Sequence, residues 1–446
     1  MKKIKEFIRR FTPRFVFSWY YFAWSLAAAL FYLNPSKNLL VVGVTGTNGK
    51  TSTVNAIHWI LQSGGIRSGL ISTANFKIGN KEWINKTKNT MLGRFGMQSM
   101  LSKMVKNGCR VAVLEVSSEG VASHRVFGIN FDILVFTNLS PEHIESHGSF
   151  EKYKKAKQKI FASLGKSARK KIAFPATGLA KKTIIANTDD QHADSFLKFG
   201  ADYKMGFSVK NKPSLFAEKV ILASDVKQSQ KELTFNISLG GEKAEIISPL
   251  LGEVNVYNLL AAAAVGHLAG FSWDSLAANL GDFLGVSGRM EKLSSKKGYD
   301  VIIDYALTPD SLRGLYATIR ALYKGKIVAV FGACGGGRDK GKRAPMGQVV
   351  SGYADYSILT NEDPYFDDPY GIVREIANGF KDNDKKEGED YEIIINREHA
   401  IEKALLMAHG DGDVVVITGK GSEVGMNVMG KIVPFNDREV VLKYLR

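Results

Sequence analysis

The segment VVGVTGTNGKT, residues 41–51, constrains the fold more than any other part of the chain. A short apolar run opens it and a helical pattern follows it, so it is predicted to join a buried strand to a helix. Backbone amides at such a junction can cradle phosphate oxygens, while Lys50 neutralises charge and the Thr51 hydroxyl can hold Mg²⁺. The GxxxxGK[ST] pattern is not met, because position 44 is valine, but Gly46 and Gly49 form a shorter GxxGKT pattern. We therefore expect a phosphate-binding loop rather than a simple glycine turn.

Short apolar runs alternate with helical patterns from residue 38 onward, which predicts an α/β fold with largely parallel sheets. The first unit has predicted strands at 39–44, 111–116, 132–137 and 183–187, with an antiparallel patch within 200–250. The second has predicted strands at 301–304, 326–332, 356–360 and 414–418. A chain of 446 residues exceeds one ordinary core.

We therefore predict three parts, with the ligand site in the cleft between the last two. They are a basic and hydrophobic N-terminal helix (1–37), a central phosphate-loop ATPase domain (38–285) and a C-terminal Rossmann-like α/β domain (286–446).

The uncharged, aromatic-rich segment 15–33 is long enough to span a thin bilayer. Six basic residues precede or open it: Lys2, Lys3, Lys5, Arg9, Arg10 and Arg14. A spanning helix with an ATP-using body in the cytoplasm would place these charges outside, against the positive-inside rule. A cleaved signal would export the ATP site. We expect an uncleaved helix that lies on the membrane, with packing on the protein body as the alternative.

The net charge of +16 permits nucleic acid, an anionic membrane or anionic substrates as partners. No nucleic-acid-binding motif accompanies it, so nucleic acid is not expected. Cys109 and Cys334 lack metal-ligand spacing and fit a reduced compartment. We expect a cytoplasmic monomer, located at the inner face of the membrane if the helix contacts lipid.

The loop sequence TGTNGKT resembles that of the Mur ligase family, in particular its UDP-N-acetylmuramoyl-tripeptide synthetases. The resemblance continues in order over almost all of the chain after residue 38. It includes LEVSSEGVASHRV (114–126), FTNLSPEHIESHGSFEKYKKAK (136–157), GEVNVYN (252–258), SGRME (287–291), DYALTPD (304–310), GGGRDKGKRAPMG (335–347) and GKGSE (419–423). It implies an ATP- and Mg²⁺-dependent ligase that adds a free amino acid to a muramoyl-peptide acceptor through an acyl phosphate, releasing ADP and phosphate.

The resemblance also implies a catalytic set of Lys50, Glu115, His143 and Lys157. Glu115 ends one predicted strand and His143 follows another, where α/β sheets bind ligands. Together with Thr51 they are expected to hold Mg²⁺. Lys157 matches a carbamylated lysine, whose oxygens would bind a second Mg²⁺; otherwise it belongs to the solvated basic face of an amphipathic helix.

The remaining site residues are also implied by the resemblance. The expected ATP-binding residues are Gly46, Thr47, Asn48, Gly49, Lys50, Thr51, Asn258, Arg289 and Asp304. The expected acceptor contacts are Thr90, Ser117 and Arg125, and those to the incoming amino acid are Arg338, Asp363 and Glu423.

Several positions depart from the family pattern. The Asp-Asn-Pro-Arg selector for diaminopimelate is replaced by Glu362-Asp363-Pro364-Tyr365, which removes the arginine and adds a carboxylate. We therefore expect lysine or another basic amino acid as a substrate equally with diaminopimelate. Other departures are leucine, serine and glutamate in place of histidine at Leu307, Ser422 and Glu119, and Met91-Leu92 in place of Thr-Pro.

About 38 residues precede the strand of the phosphate loop, too few for the family's uridine-diphosphate-binding domain. This predicts either a lipid-linked acceptor at the membrane surface or an acceptor site indifferent to uridine. Two other functions stay open: a ligase that makes a polyglutamate- or cyanophycin-like amide, and a non-catalytic ATP-binding membrane scaffold. The intact Lys50 and Glu115 disfavour the scaffold.

Overall fold

The computed structural model describes residues 14–141, 147–172 and 180–445, which form two α/β units. The strands of the first unit are β1 (Leu40–Thr45), β2 (Ser68–Ile71), β3 (Asn75–Ile78), β4 (Lys81–Ile84), β5 (Val111–Glu115), β6 (Ile133–Phe136), β7 (Thr183–Asn187), β8 (Tyr203–Ser208), β9 (Lys219–Gln228), β10 (Leu233–Leu239) and β11 (Glu242–Ser248). They form one sheet in the order β11-β10-β9-β8-β7-β6-β1-β5-β2-β3-β4.

The middle of this sheet is parallel and its two edges are antiparallel. β1 lies between β5 and β6, and all six of its residues are buried. A parallel strand covered on both faces needs apolar residues throughout, which is why LVVGVT shows little alternation. β9, β10 and β11 form the antiparallel patch expected within 200–250.

Helices cover both faces of the first sheet and enclose two apolar cores. They are α1 (Arg14–Phe31), α2 (Lys50–Ser63), α3 (Arg94–Lys106), α4 (Ser118–Ala122), α5 (Phe150–Leu164), α6 (Ala193–Leu197), α7 (Glu253–Leu268) and α8 (Trp273–Gly281), with a short 3₁₀ helix at Pro35–Asn38. The alanine-rich α7 packs closely on α2, because Gly266 leaves room for Ile60.

The second unit is a smaller sheet with helices on both faces. Its strands are β12 (Glu291–Ser294), β13 (Asp300–Asp304), β14 (Ile327–Phe331), β15 (Tyr356–Leu359), β16 (Tyr391–Ile393) and β17 (Val414–Thr418). Its helices are α9 (Pro309–Leu322), α10 (Arg343–Ser351), α11 (Pro369–Lys381), α12 (Arg397–Met407) and α13 (Asp437–Tyr444). The strand order is β12-β13-β17-β14-β15-β16, parallel except for β12, and a hairpin of β18 (Gly425–Val428) and β19 (Lys431–Pro434) follows.

The helix α1 lies against α3 and against the loop 123–128. Its inward stripe has helical spacing and comprises Tyr21, Phe22, Ser25, Ala28 and Ala29. The Ser25 hydroxyl donates to the carbonyl of His124 (2.8 Å). Gly128 has φ +75°, and a Cβ there would lie 2.6 Å from the Ala29 side chain. The close approach of α1 therefore depends on glycine at this position.

Candidate active site

The loop between β1 and α2 is held tightly by neighbouring residues. A Cβ at Gly46 would lie 1.9 Å from the Thr137 hydroxyl, and one at Gly49 would lie 2.6 Å from Oδ1 of Asn258. Gly49 also has φ +81°, a conformation that favours glycine. The ammonium of Lys50 donates to the carbonyl of Thr47 (2.7 Å). The loop therefore holds its expected phosphate-binding residues in a fixed, compact turn at the helix N-terminus.

A buried carboxylate, Glu115, lies at the end of β5 beside this loop. Its Oε2 accepts hydrogen bonds from the Thr51 hydroxyl (3.0 Å) and the Thr73 amide (2.7 Å). Its Oε1 accepts one from the Thr73 hydroxyl (2.9 Å). Neutral donors alone compensate the burial of a charge poorly, so this group is suited to meeting a cation.

Lys157 lies on the inner face of α5 and is buried, whereas the neighbouring Lys155 and Lys159 are exposed. Its ammonium donates to the carbonyl of Gly46 (2.7 Å) and lies 4.6 Å from the centre of the Tyr153 ring. The solvated-face alternative for Lys157 is therefore wrong. The predicted ligand His143 lies outside the described residues.

Asn258 and Arg289, both expected to contact ATP, lie in different units. The side chain of Asn258 accepts from the Thr53 hydroxyl (3.0 Å), which places it beneath the loop at the start of α2. Arg289 belongs to the second unit and stacks over the Tyr305 ring, 4.2 Å from its centre. Burial raises the pKa of the nearby Asp304, while Arg289 and the amides of residues that include Met290 oppose that shift.

The expected acceptor residues lie together on the first unit. The hydroxyls of Thr90 and Thr73 lie 3.0 Å apart, and Thr73 is the same residue that binds Glu115. Ser117 caps α4 by accepting from the Gly120 amide, and the Arg125 guanidinium donates to the Met91 carbonyl (2.7 Å). Thr73 thus links the expected acceptor side to the buried carboxylate.

On the second unit, Asp363 and Glu423 form a cluster with two lysines. The buried Lys420 ammonium contacts Asp363 Oδ1 (3.1 Å) and Glu423 Oε2 (2.6 Å). The Lys88 ammonium comes from the first unit and contacts Asp363 Oδ2 (2.5 Å) and Glu423 Oε2 (3.0 Å). Burial opposes ionisation of Asp363, but Lys420 and Lys88 outweigh it and hold the pKa of Asp363 below its ordinary value.

Two further groups adjoin this cluster. The thiol of Cys334 donates to Oε2 of Glu362 (2.9 Å), and burial raises the pKa of Glu362 despite the nearby Lys420. Arg338 lies in the loop after β14, within electrostatic range of Tyr365 and of Glu119 from the first unit. The expected amino-acid residues therefore come together, with acidic, basic and phenolic groups around them.

Sequence reasoning missed Thr73, Lys88 and Lys420. Thr73 follows β2 as a single polar residue without a motif. Lys88 is one of many lysines and gains its importance only from the contact between units. Lys420 stands inside the GKGSE segment together with the predicted Glu423, so this segment is the sequence signal that indicates it.

The donor set around Glu115 fits Mg²⁺, because a carboxylate and the Thr51 hydroxyl are hard oxygen ligands lying within hydrogen-bond distance of each other. Lys157 fits only if its amine carries a carboxylate-like group, because an ammonium cannot bind a metal. In the described part of the chain, no helix has both the length and the apolar character needed to cross a bilayer.

Comparison with known proteins gives a consistent result along the chain. Residues 44–266 match the Mur ligase middle domain, and residues 288–421 match the Mur ligase, glutamate ligase domain. A Halalkalibacterium halodurans protein named UDP-N-acetylmuramoyl-L-alanyl-D-glutamate–2,6-diaminopimelate ligase is 35% identical over 95% of this chain and 82% of its own length. A Roseiflexus protein named UDP-N-acetylmuramyl-tripeptide synthetase is 34% identical over 89% of this chain and 76% of its own length.

Solved structures show the same fold. A structure of a UDP-N-acetylmuramoyl-L-alanyl-D-glutamate–2,6-diaminopimelate ligase matches with a TM-score of 0.60 at 31% identity, covering 91% of this chain and 78% of that one. Mycobacterium tuberculosis folylpolyglutamate synthase, solved with ADP and AMPPCP, matches with a TM-score of 0.67 at 16% identity, covering 89% of this chain and 92% of that one. The second likeness concerns the fold alone.

Identity and coverage of this extent define the class of protein: it is an ATP-dependent ligase that joins an acid to an amino acid. The chain belongs to the Mur ligase family.

Proposed function

We propose that this ligase adds a free amino acid to a muramoyl-peptide acceptor, with cleavage of ATP to ADP and phosphate. The observation that carries the proposal is the contact of Thr51, at the end of the glycine-rich loop, with the buried Glu115, in a chain of this family. Its relatives are named for the same reaction class. The proposal includes the division of the chain into 1–37, 38–285 and 286–446, and a monomer in the cytoplasm.

The reaction runs in two steps. The acceptor carboxylate attacks the γ-phosphorus of ATP, so a C–O–P bond forms as the bond to ADP breaks. The amine of the amino acid then attacks the acyl carbon, the C–O bond to phosphate breaks, and the amine loses a proton. Negative charge converges in both steps, so cations and aligned donors contribute most of the stabilisation.

Each unit supplies a different part of this chemistry. The loop from Gly46 to Thr51 orients the phosphates, with Lys50 as the neutralising cation and Asn258 beneath the loop. Arg289 and Asp304 approach the nucleotide from the second unit. Thr90, Ser117 and Arg125 orient the acceptor, while Arg338, Asp363 and Glu423 bind the amino acid.

Thr51 and Glu115, with His143, would hold Mg²⁺, which supplies charge neutralisation at the phosphates when bound. Lys157 joins this set once carbamylated, and its present contact with Gly46 places its amine beside the loop. Lys157→Ala should abolish activity, and short carboxylic acids should restore part of it. Full activity in that variant would exclude a role for the modification.

The identity of the amino acid depends on the second-unit cluster. The Halalkalibacterium relative is named for diaminopimelate, but the family's arginine is Tyr365 here. The carboxylate added at Asp363 already has Lys420 and Lys88 as partners. It therefore does not by itself select a basic side chain, and lysine and diaminopimelate both enter the test.

The test is phosphate release from ATP with a UDP-linked muramoyl-dipeptide acceptor, screened across single amino acids that include lysine and diaminopimelate. Release that needs both the acceptor and one amino acid is the expected result. Glu115→Gln should lower it by at least 100-fold, about 3 kcal/mol of transition-state stabilisation. The second arm of the test presents the acceptor in vesicles, in a lipid-linked form. If neither acceptor stimulates phosphate release, the assignment is refuted.

The helix α1 exposes a second apolar face to solvent, opposite its packed stripe. Trp19 is 69% exposed and Phe31 71% exposed, and Tyr20, Trp24 and Leu30 share this side. Contiguous apolar surface of this kind is rare on a free protein, and tryptophan and tyrosine concentrate at the membrane–water interface. The sequence before Phe15 carries six basic residues and a single acidic one, Glu6.

We therefore assign this face to peripheral contact with an anionic bilayer, through residues 15–33. The neighbouring loop carries His124, which α1 contacts, and Arg125, so docking would bring expected acceptor residues near the membrane surface.

Cosedimentation of the full chain with phosphatidylglycerol vesicles tests this contact. Trp19→Ser with Leu30→Ser should weaken binding by at least tenfold, because each side chain loses about 2 kcal/mol of apolar burial. Trp83→Ser, at an exposed tryptophan on β4, is the matched control. Unchanged vesicle binding in the double variant, or a dimer in solution that the double variant disrupts, would contradict the assignment.

A further inference from the structure

The side chain of Lys88 crosses from the first unit into the expected amino-acid site of the second. Its ammonium lies 2.5 Å from Asp363 Oδ2 and 3.0 Å from Glu423 Oε2. Asp363 is almost completely buried and Glu423 is mostly buried. An ammonium placed between these two carboxylates has the position that a positively charged amine of a ligand would take.

The second lysine of the cluster, Lys420, has a different character. Its side chain is fully buried, and it contacts both carboxylates from within the same unit. Lys88 is 22% exposed and belongs to the loop between β4 and α3. Its φ of +54° is uncommon for a residue other than glycine, so the loop stores some backbone strain while the contact is made. Of the two cations, Lys88 is therefore the more exposed one and the one whose backbone is strained.

Lys88 and Lys420 together balance the charges of Asp363 and Glu423. These two carboxylates each contact both ammonium groups, whereas the adjoining Glu362 accepts from the Cys334 thiol, and a buried carboxylate without a partner is costly. Replacing Lys88 by the ammonium of a ligand preserves this balance, whereas binding the ligand beside Lys88 would add an unpaired positive charge. Exchange is therefore the arrangement that electrostatics favours.

We propose that the Lys88 ammonium occupies the amine position of the amino-acid site, and that the incoming amino acid binds by displacing it. This inference rests on the proposed assignment of Asp363 and Glu423 to the amino acid. Lys88 is then a specificity-determining residue, because a ligand must bring an ammonium group in the right position to replace it. The apparent Kd for the amino acid is then the intrinsic Kd divided by the fraction of molecules in which Lys88 has left the site.

The alternative role is a structural tie between the two units. A tie would hold the units in the arrangement that all substrates need, so its loss would raise the KM for ATP and for the amino acid together. If Lys88 instead competes with the amino acid, its loss should lower the KM for the amino acid and leave the KM for ATP unchanged. The two roles are therefore separated by direction rather than by size.

The experiment compares Lys88→Met with Lys86→Met, a control at an exposed lysine of the same loop. The KM for the amino acid, with L-lysine and meso-diaminopimelate as the two probes, should fall about tenfold in Lys88→Met if Lys88 holds the site nine-tenths of the time. The KM for ATP should stay unchanged, and the control should behave as the natural protein. An unchanged or higher amino-acid KM in Lys88→Met overturns the proposal.

Calorimetric titration of both probes without ATP or acceptor separates this inference from the proposed reaction. Tighter binding to Lys88→Met in a protein that forms no product keeps the inference and rejects the reaction. Product formation with the same amino-acid affinity in both proteins keeps the proposed reaction and rejects the inference about Lys88. Binding of neither probe to either protein rejects the inference. Lys88→Gln repeats the measurement with a neutral polar side chain, in case the methionine variant is unstable.

Discussion

At the scale of single residues, the candidate site depends on close approaches that only particular side chains permit. Gly46 lies against Thr137, and Gly49 lies against Asn258, so the loop can turn only where no Cβ is present. The loop in turn offers its Gly46 carbonyl to Lys157 and its Thr51 hydroxyl to Glu115. Small residues thus determine where the large charged groups lie.

Gly46→Ala should therefore damage activity more than stability. The added Cβ would lie 1.9 Å from the Thr137 hydroxyl and 3.0 Å from backbone atoms of Asn138, so the loop must shift. We expect kcat/KM for ATP to fall by at least 100-fold, about 3 kcal/mol, with a folded protein by circular dichroism. Gly93→Ala is the control, because nothing lies within 4 Å of a Cβ there. Equal activity of the two variants would show that loop position is not critical.

At the scale of elements, α2 is joined to the sheet by a buried polar contact as well as by apolar packing. His58 on α2 lies 2.9 Å, ring nitrogen to hydroxyl, from Ser68 on β2. Burial, with a contribution from Lys77, lowers the pKa of His58 to about 3. The folded protein therefore keeps this ring neutral at pH values where the unfolded chain protonates it.

This pKa difference predicts that acid destabilises the protein through His58. Between pH 6.5 and about 3 the unfolded chain binds a proton at His58 that the folded protein does not. The stability contributed by the neutral His58 ring is therefore complete above pH 6.5 and is lost as the pH falls. The loss should approach about 5 kcal/mol over the whole window. His58→Gln should flatten the dependence of the unfolding free energy on pH between 4 and 6. His399→Gln, at an exposed histidine, should leave it unchanged; an equal slope in the natural protein and in His58→Gln would refute this account.

At the scale of the whole molecule, the sequence predicted the parts better than their contacts. The runs 183–187 and 414–418 are strands with the predicted bounds, because a buried parallel strand is continuously apolar and stands out from its neighbours. Glu115 could be placed at a strand end for the same reason. Lys88 could not be found, because its partners lie 275 and more residues away in the second unit and no local pattern indicates such a contact.

The contact between units leads to the last prediction, which concerns ATP. The expected nucleotide residues are divided between Lys50 on the first unit and Arg289 with Asp304 on the second. A ligand that binds both units stabilises them together, by about 2.7 kcal/mol at a concentration 100 times its Kd. A non-hydrolysable ATP analogue with Mg²⁺ should therefore raise the midpoint temperature of thermal unfolding, and both units should unfold in one transition.

Lys50→Met and Arg289→Met should each remove most of that rise, although the two residues belong to different units. Arg313→Met, at an exposed arginine of α9, is the matched control and should keep it. A full rise in Arg289→Met would mean that the first unit binds the nucleotide alone. The second unit would then serve the amino acid only, and Arg289 would be a structural partner of Tyr305, on whose ring it stacks.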